Sequence, residues 1–290
     1  MRILVIGGDG MLGHRLFASW KGRHEVIPTL RRERGAYVDL PKDLAVTARY
    51  GLDITALESL TELLAEVRPE LVVNAAGIVK QRSEAHDALP SLNINSLYPH
   101  RLAQLCRLGG ARMVHLSTDC VFSGRKGHYT EQDLPDPPDL YGRSKLLGEV
   151  GAPGCLTLRT SMIGLELGRK SSLVEWFLAQ KGSVKGFTRA IFTGFITAEL
   201  ARAIEHLVTQ SEPLEGRWHL AMAPITKYDL LVGLKARLGL AIEIEKEEAF
   251  SCDRSLDASA LFARTTYRPP SWEASLDELA AEIRGRETRP

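Results

Sequence analysis

The chain has 290 residues, with 37 Lys and Arg against 36 Asp and Glu, a formal net charge of +1, 44% hydrophobic residues, 25 Gly and 14 Pro. At roughly 150 residues per domain this length fits two domains or one large α/β unit, and the composition excludes a disordered chain. The balanced charge offers no pull toward nucleic acid or an anionic membrane.

The short basic cluster Arg31, Arg32 and Arg34 is interrupted by Glu33 and suits one phosphate rather than a nucleic-acid tract. Cys106, Cys120, Cys155 and Cys252 form no C-x-x-C pair, which favours a reducing compartment over a disulfide scaffold. The histidines show no H-x-x-x-H or H-E-x-x-H spacing, so no metal site is expected. The apolar opening is too short for a signal segment, and no run approaches the ~18 apolar residues of a membrane span. A soluble cytoplasmic protein is the expectation.

In chain order, Ile3 to Ile6 is an aliphatic run stopped by Gly7-Gly8, as a strand buried on both faces requires. Leu12, Leu16, Phe17 and Trp20 recur at helical spacing, and Glu25 to Leu30 reads as a second strand. A third strand is expected before Asp53, then a helix around Ile54 to Val67, a strand Leu71 to Asn74, a helix from about Ser91 to Leu108 and a strand Met113 to Ser117. Asp139 can cap a helix running to about Val150, and Cys155 to Leu158 is a further strand. This alternation predicts an α/β fold, a Rossmann-type doubly wound parallel sheet over residues 1–165.

Beyond it, helices are predicted near Ser172 to Gln180, Thr197 to Val208, Lys227 to Leu238 and Leu276 to Ile283, joined by short apolar segments. They suggest a smaller substrate lobe over 166–290. Trp272, Leu276, Leu279 and Ile283 form a stripe that should dock on the body, and Gly285 to Pro290 reads as a polar tail.

Gly7-Gly8-Asp9-Gly10-Met11-Leu12-Gly13 lies between the first strand and the first helix. Its glycines allow positive φ and close approach of a pyrophosphate to a helix N-terminus, which makes Gly7, Gly10, Met11, Leu12 and Gly13 candidate dinucleotide ligands. An acid at the end of the second strand favours NAD, whereas Arg31 and Arg32 place cations where a 2′-phosphate lies, so NADPH is expected ahead of NADH. A solvated basic loop is the competing reading of these arginines. Asp53 and Ile54 can hold the adenine amino group, although a helix cap explains Asp53 nearly as well. Asn74-Ala75-Ala76-Gly77 and Ser117-Thr118-Asp119 end two further strands at the edge where open α/β sheets bind ligands.

Tyr141-Gly142-Arg143-Ser144-Lys145 puts phenol and ammonium on one helical face, and Tyr141 alone of the 7 tyrosines has Lys at the fourth position after it. Bringing a phenol from about 10 to about 7 requires roughly 4 kcal/mol of phenolate stabilisation. Lys145 and the positive charge of an oxidised nicotinamide can supply it. In the reducing direction Tyr141 protonates a developing alkoxide, and the Thr118 hydroxyl bonds the same oxygen.

These residues resemble the extended short-chain dehydrogenase/reductase family, and more narrowly its dTDP-4-dehydrorhamnose reductase branch. Ser117-Thr118-Asp119-Cys120-Val121-Phe122-Ser123-Gly124, Tyr129-Thr130-Glu131-Gln132-Asp133, Pro137 and Tyr141 to Glu149 follow that branch's S-T-D-x-V-F-x-G, Y-x-E-x-D, P and Y-G-x-S-K-x-x-G-E pattern. The resemblance implies catalytic Thr118, Tyr141 and Lys145, with Asn95 matching the helix asparagine that shapes the proton relay. It implies NADPH-dependent reduction of a nucleotide-activated 4-keto-6-deoxy sugar, in polysaccharide or glycan precursor synthesis. Gly216 to Leu220 resembles the late strand that returns to the nucleotide domain, so parts near 193–220 should interleave with the first lobe.

Position 120, aromatic in the branch, is Cys120 here, which changes the substrate-facing rim. A neutral thiol also lacks the acid-base capacity of the residue that dehydratases carry at this place. Val79 to Gln81, Cys120, Val121, Phe122, Trp176 and Arg189 are candidates for the sugar side, Arg189 facing a diphosphate. Trp176 also fits a core position. A non-catalytic NADP-binding regulatory subunit, as in methionine adenosyltransferase, and a nucleotide-sugar epimerase are the competing functions. A nucleotide-sugar substrate and a homodimer are expected as partners, without nucleic acid or membrane.

Overall fold

The computed structural model describes residues 1–38, 40–80, 87–168 and 170–287. The first half runs β1 (Arg2–Ile6), α1 (Met11–Trp20), β2 (Glu25–Thr29), α2 (Lys42–Thr47), α3 (Leu57–Val67), β3 (Leu71–Asn74), α4 (Ala88–Leu92), α5 (Tyr98–Leu108), β4 (Arg112–Leu116), α6 (Leu140–Leu147) and β5 (Cys155–Arg159). The second runs β6 (Met162–Ile163), α7 (Leu173–Leu178), β7 (Ser183–Phe192), β8 (Phe195–Ile196), α8 (Thr197–Thr209), β9 (Gly216–His219), β10 (Ile225–Thr226), α9 (Lys227–Leu238), β11 (Glu243–Asp253), α10 (Ser259–Phe262) and α11 (Trp272–Glu287).

The aliphatic strands pair in parallel in the order β2-β1-β3-β4-β5-β9, with α/β crossovers between them. Alternate residues of each strand serve opposite faces. Ile3, Val5, Val73 and Val114 join α1, α8 and α11 in one core, while Leu4, Ile6, Val72 and Met113 pack against α3 and α5 in another. The order of the strands reverses between β1 and β3, the kind of switch point at whose carboxyl-end edge open parallel sheets bind ligands. The second half adds a three-stranded sheet, β10-β7-β11, and returns β9 to the edge of the main sheet beside β5. Trp272, Leu276, Leu279 and Ile283 dock as one buried stripe on the first core.

Several elements depart from the sequence-based reading. The third strand before Asp53 shrinks to one bridge, Arg49 to Thr29, and the helix begins at Leu57 because Asp53 folds a turn with Thr55. The helix expected from Ser91 to Leu108 is broken by a π-helical turn, Asn93–Leu97. β7 and β11 were not anticipated. Gly186 interrupts the apolar pattern of β7, because a Cβ there meets Tyr228 and Ile244 at 2.6 and 2.7 Å. β11 is rich in Glu and largely exposed, so it carries little apolar alternation. The expected tail from Gly285 is helical through Glu287.

One buried network ties the sheet to α6. Glu149, just past α6, receives Ser117 Oγ at 2.7 Å, Arg159 Nε at 2.7 Å and Nη2 at 2.8 Å, and Arg217 Nη1 at 3.3 Å. It thereby joins the ends of β4, β5 and β9. Gly148 is required beside it, since a Cβ there comes within 1.8 Å of the Asn95 carbonyl oxygen. The side chains of Glu149 and Arg159 are 1% and 3% exposed, whereas that of Arg217 is 51% exposed. Glu149→Ala leaves Arg159 buried and unpaired and should lower unfolding free energy by about 3–5 kcal/mol, against about 0–1 kcal/mol for Arg217→Ala, by urea denaturation.

Candidate active site

The glycine turn forms a cradle built from backbone. Gly7 has φ of +90°, and a Cβ there lies 3.0 Å from Ala76 N, so the turn and the tip of β3 pack main chain on main chain. A Cβ on Gly13 comes within 2.0 Å of Gly7 O, which locks α1 against the turn. Gly10 is the N-cap of α1, and among the described residues no side chain caps it, which leaves the helix N-terminus able to receive an anion. Gly8 N donates to Thr29 O at 2.8 Å, and Tyr37 Oη donates to Asp9 Oδ2 at 2.8 Å while accepting from Arg32 N at 3.1 Å. The Tyr37 link fastens the arginine loop to the cradle and was not anticipated. Burial and the Asp9 carboxylate push the Tyr37 phenol up to about 12.

Arg31 and Arg32 follow β2 and are exposed at the rim of this cradle. Asp53 Oδ1 accepts from Thr55 N at 2.8 Å and Thr55 Oγ1 at 2.7 Å, so its carboxylate shapes a turn, and Ile54 packs against the α3/α5 core. Ala75, Ala76 and Gly77 continue from β3 beside Gly7, with Ala76 N donating to Asn74 Oδ1 at 3.2 Å. Glycine cradle, uncapped helix and exposed cations fit a dinucleotide with an added phosphate.

Thr118 follows β4 and caps the short turn Asp119–Val121, accepting from Cys120 N at 3.1 Å and donating to Asp119 Oδ1 at 3.1 Å. Tyr141 lies on α6, whose N-cap is Asp139, as its sequence position indicated; Asp139 Oδ1 accepts from Gly142 N at 2.8 Å. A Cβ on Gly142 would come within 2.2 Å of Cys120 O, so α6 rests directly on the Thr118 turn. The Tyr141 phenol lies beside the Thr118 hydroxyl. Burial raises the phenol well above its ordinary range, Cys120, Asp119 and Asp139 add to the rise, and the Thr118 hydroxyl opposes it. Burial thus acts against the expected lowering and keeps Tyr141 protonated.

Lys145, one turn on, donates from Nζ to Leu116 O at 2.6 Å. Burial lowers its pKa to about 8, and the Glu149 carboxylate resists that fall. Asn95, in the π-helical turn, spends its amide on structure: Oδ1 accepts from Ile78 N at 2.9 Å, and Nδ2 donates to Ile78 O at 3.0 Å and Ser144 Oγ at 3.1 Å. It clamps the loop after β3 to α6. Among the described residues no cluster of His, Cys, Asp and Glu is placed to hold a metal ion.

On the sugar side the outcome is mixed. Cys120 is partly exposed beside Tyr141, and burial pushes its thiol up to about 12, which keeps it neutral. Val121 and Phe122 are fully buried with Tyr129, and Phe122 stacks on Tyr129 with centroids 4.1 Å apart, so neither faces a ligand as expected. The short turn after Thr118 rotates both side chains inward. Val79 is exposed on the loop after β3, and Gln81 lies outside the described residues. Trp176 is 39% exposed on α7 rather than core, while neighbouring Phe177 is buried. Arg189 is exposed on β7 opposite Ser251 of β11. Two cations escaped sequence reasoning: Arg254, after β11, and Lys227, at the start of α9, both act on the buried Asp119 carboxyl, whose pKa burial raises.

The chain is similar to several known proteins. The chain is 30% identical over 290 residues to a dTDP-4-dehydrorhamnose reductase of Burkholderia thailandensis, covering 98% of this chain and 79% of that one. It is 27% identical to methionine adenosyltransferase 2 subunit beta of Danio rerio, covering 79% of this chain and 71% of that one. Its fold matches a dTDP-4-dehydrorhamnose reductase of Bacillus anthracis in complex with NADP at a TM-score of 0.79 and 21% identity, covering 97% of this chain and 99% of that one. No helix among the described residues is long and apolar enough to cross a membrane. The family model described as the RmlD substrate binding domain matches residues 1–284, and the chain belongs to that family.

Proposed function

We propose that the chain is an NADPH-dependent reductase of the 4-keto group of a nucleotide-activated 6-deoxy sugar, in polysaccharide or glycan precursor synthesis. The observation that carries the reading is the packing of α6, with Tyr141 and Lys145, directly on the Thr118 turn at the carboxyl edge of the sheet, in the same fold as the glycine cradle. Gly7, Gly10, Met11, Leu12 and Gly13 receive the pyrophosphate, Ala75 to Gly77 let the cofactor pass over β3, and Arg31 and Arg32 face the 2′-phosphate. NADPH supplies the hydride.

Tyr141 serves as the acid. Its raised pKa keeps the proton in place until negative charge develops on the substrate oxygen, and Thr118 donates to the same oxygen. Lys145 contributes positive charge that favours the phenolate left behind, and Asn95 fixes the helix that carries both. Reduction requires the protonated phenol, so the ordering of these groups suits the direction proposed.

The similarity to a regulatory subunit supports a second reading, an NADP-binding partner of another enzyme. The complete Thr118, Tyr141 and Lys145 set favours catalysis, because binding alone needs no reactive phenol. A homodimer is part of the proposed reading, and light scattering at twice the 32.0 kDa chain mass is the expected result.

Tyr141→Phe should reduce kcat about 10²–10⁴-fold with NADPH affinity retained, and wild-type turnover by this variant contradicts the assigned acid. Lys145 is cationic below about 8 and neutral above it, so kcat should fall as pH rises through that value. Lys145→Arg, which does not titrate there, should lose that limb at a reduced rate. Replacing Arg31 and Arg32 by Ala should raise the NADPH KM about 10–100-fold with little change for NADH, as charge-assisted hydrogen bonds of about 1.5–3 kcal/mol imply.

A further inference from the structure

Arg254 belongs to the C-terminal half of the chain, yet its guanidinium lies along the catalytic turn. Nε donates to Phe122 O at 2.9 Å and Nη1 to Cys120 Sγ at 3.4 Å. That turn begins at Thr118, and its Cys120 lies against Gly142, the residue after Tyr141. The guanidinium is therefore held next to the place where the reacting oxygen meets Thr118 and Tyr141.

A guanidinium carries five N–H donors. Two are used, and Nη2 makes no hydrogen bond among the described residues. Asp119 and Asp139 lie close enough to hold the arginine charged, but neither forms an ion pair with it among the described residues. Arg254 is half-buried and its Nη2 edge is not a buried orphan, so that edge is open to solvent and available to an acceptor on a ligand. The small Cys120 side chain leaves the guanidinium at the rim instead of covering it.

The geometry also indicates which acceptor. In a nucleotide-linked 4-keto-6-deoxyhexose the diphosphate is on C1, across the ring from the ketone, so a group beside the reacting oxygen faces the neighbours of C4. C5 bears a methyl group, and C3 bears a hydroxyl. We propose that Arg254 is a specificity-determining residue whose Nη2 edge holds the C3 hydroxyl oxygen of the sugar, an inference that rests on the keto-sugar reading above.

The test measures kcat/KM for wild type, Arg254→Met and Arg254→Lys on a 4-keto-6-deoxyhexose nucleotide and its 3-deoxy analogue, with NADPH binding as the check on folding. Wild type should prefer the hydroxylated substrate about 10–100-fold, the range expected of one charge-assisted hydrogen bond. Arg254→Met should lose that preference by slowing on the hydroxylated substrate alone, with NADPH affinity unchanged. Arg254→Lys, which keeps the charge without the fork, should retain only part of it. Equal losses on both substrates, or an undiminished preference in both variants, overturns the assignment. Wild type that reduces neither substrate overturns the keto-sugar reading itself and takes this inference with it.

Discussion

The buried ion pair between Glu149 and Arg159 is the constraint on which the site depends. Both charges are withdrawn from water, and such a pair persists only when every lone pair and N–H finds a partner. Here Ser117, Arg217 and His219 complete the set, the last with Nε2 at 3.4 Å from Arg159 Nη1. Ser117 follows β4, Arg159 ends β5, and Arg217 and His219 belong to β9. The requirement to satisfy one carboxylate therefore sets where α6 ends relative to three strands, and α6 carries Tyr141 and Lys145.

The same economy runs through the catalytic edge. Gly142 lets α6 sit on the Thr118 turn, Gly148 lets its other end approach Asn95, and Asn95 returns a bond to Ser144 between the two reactive residues. The helix is pinned at both ends and in the middle. The cofactor cradle is rigid for a related reason, since Gly7, Gly13 and the tip of β3 touch through main-chain atoms with no side chain left to adjust. In the proposed reaction, rigid backbone holds the cofactor and a pinned helix holds the proton donor.

Legibility from sequence follows the locality of the physics. The glycine turn, the Tyr141 and Lys145 spacing, the Asp139 cap and the α11 stripe each rest on interactions within a few residues, and each is readable. Where a role depends on a partner far along the chain, the sequence is silent. Arg254 meets Phe122 across 132 residues, and nothing near it distinguishes it from a surface arginine. β7 and β11 form a parallel pair whose register is invisible until both strands are placed, and the Glu-rich face of β11 hides its strand character. Val121 and Phe122 mislead because adjacency to Cys120 suggested a shared face, whereas the tight turn sends them into the core. Tyr141 misleads differently: spacing points to the lysine beside it, but burial dominates its proton affinity.

The central claim is that hydride reaches the sugar carbon whose oxygen sits between Thr118 and Tyr141. Its most direct measurement is turnover of a 4-keto-6-deoxyhexose nucleotide with NADPH deuterated at the transferred position, followed by NMR of the product. The account predicts one deuterium at C4 and one NADPH consumed per sugar reduced. Deuterium at another carbon, or sugar interconversion with no net NADPH consumption, contradicts it.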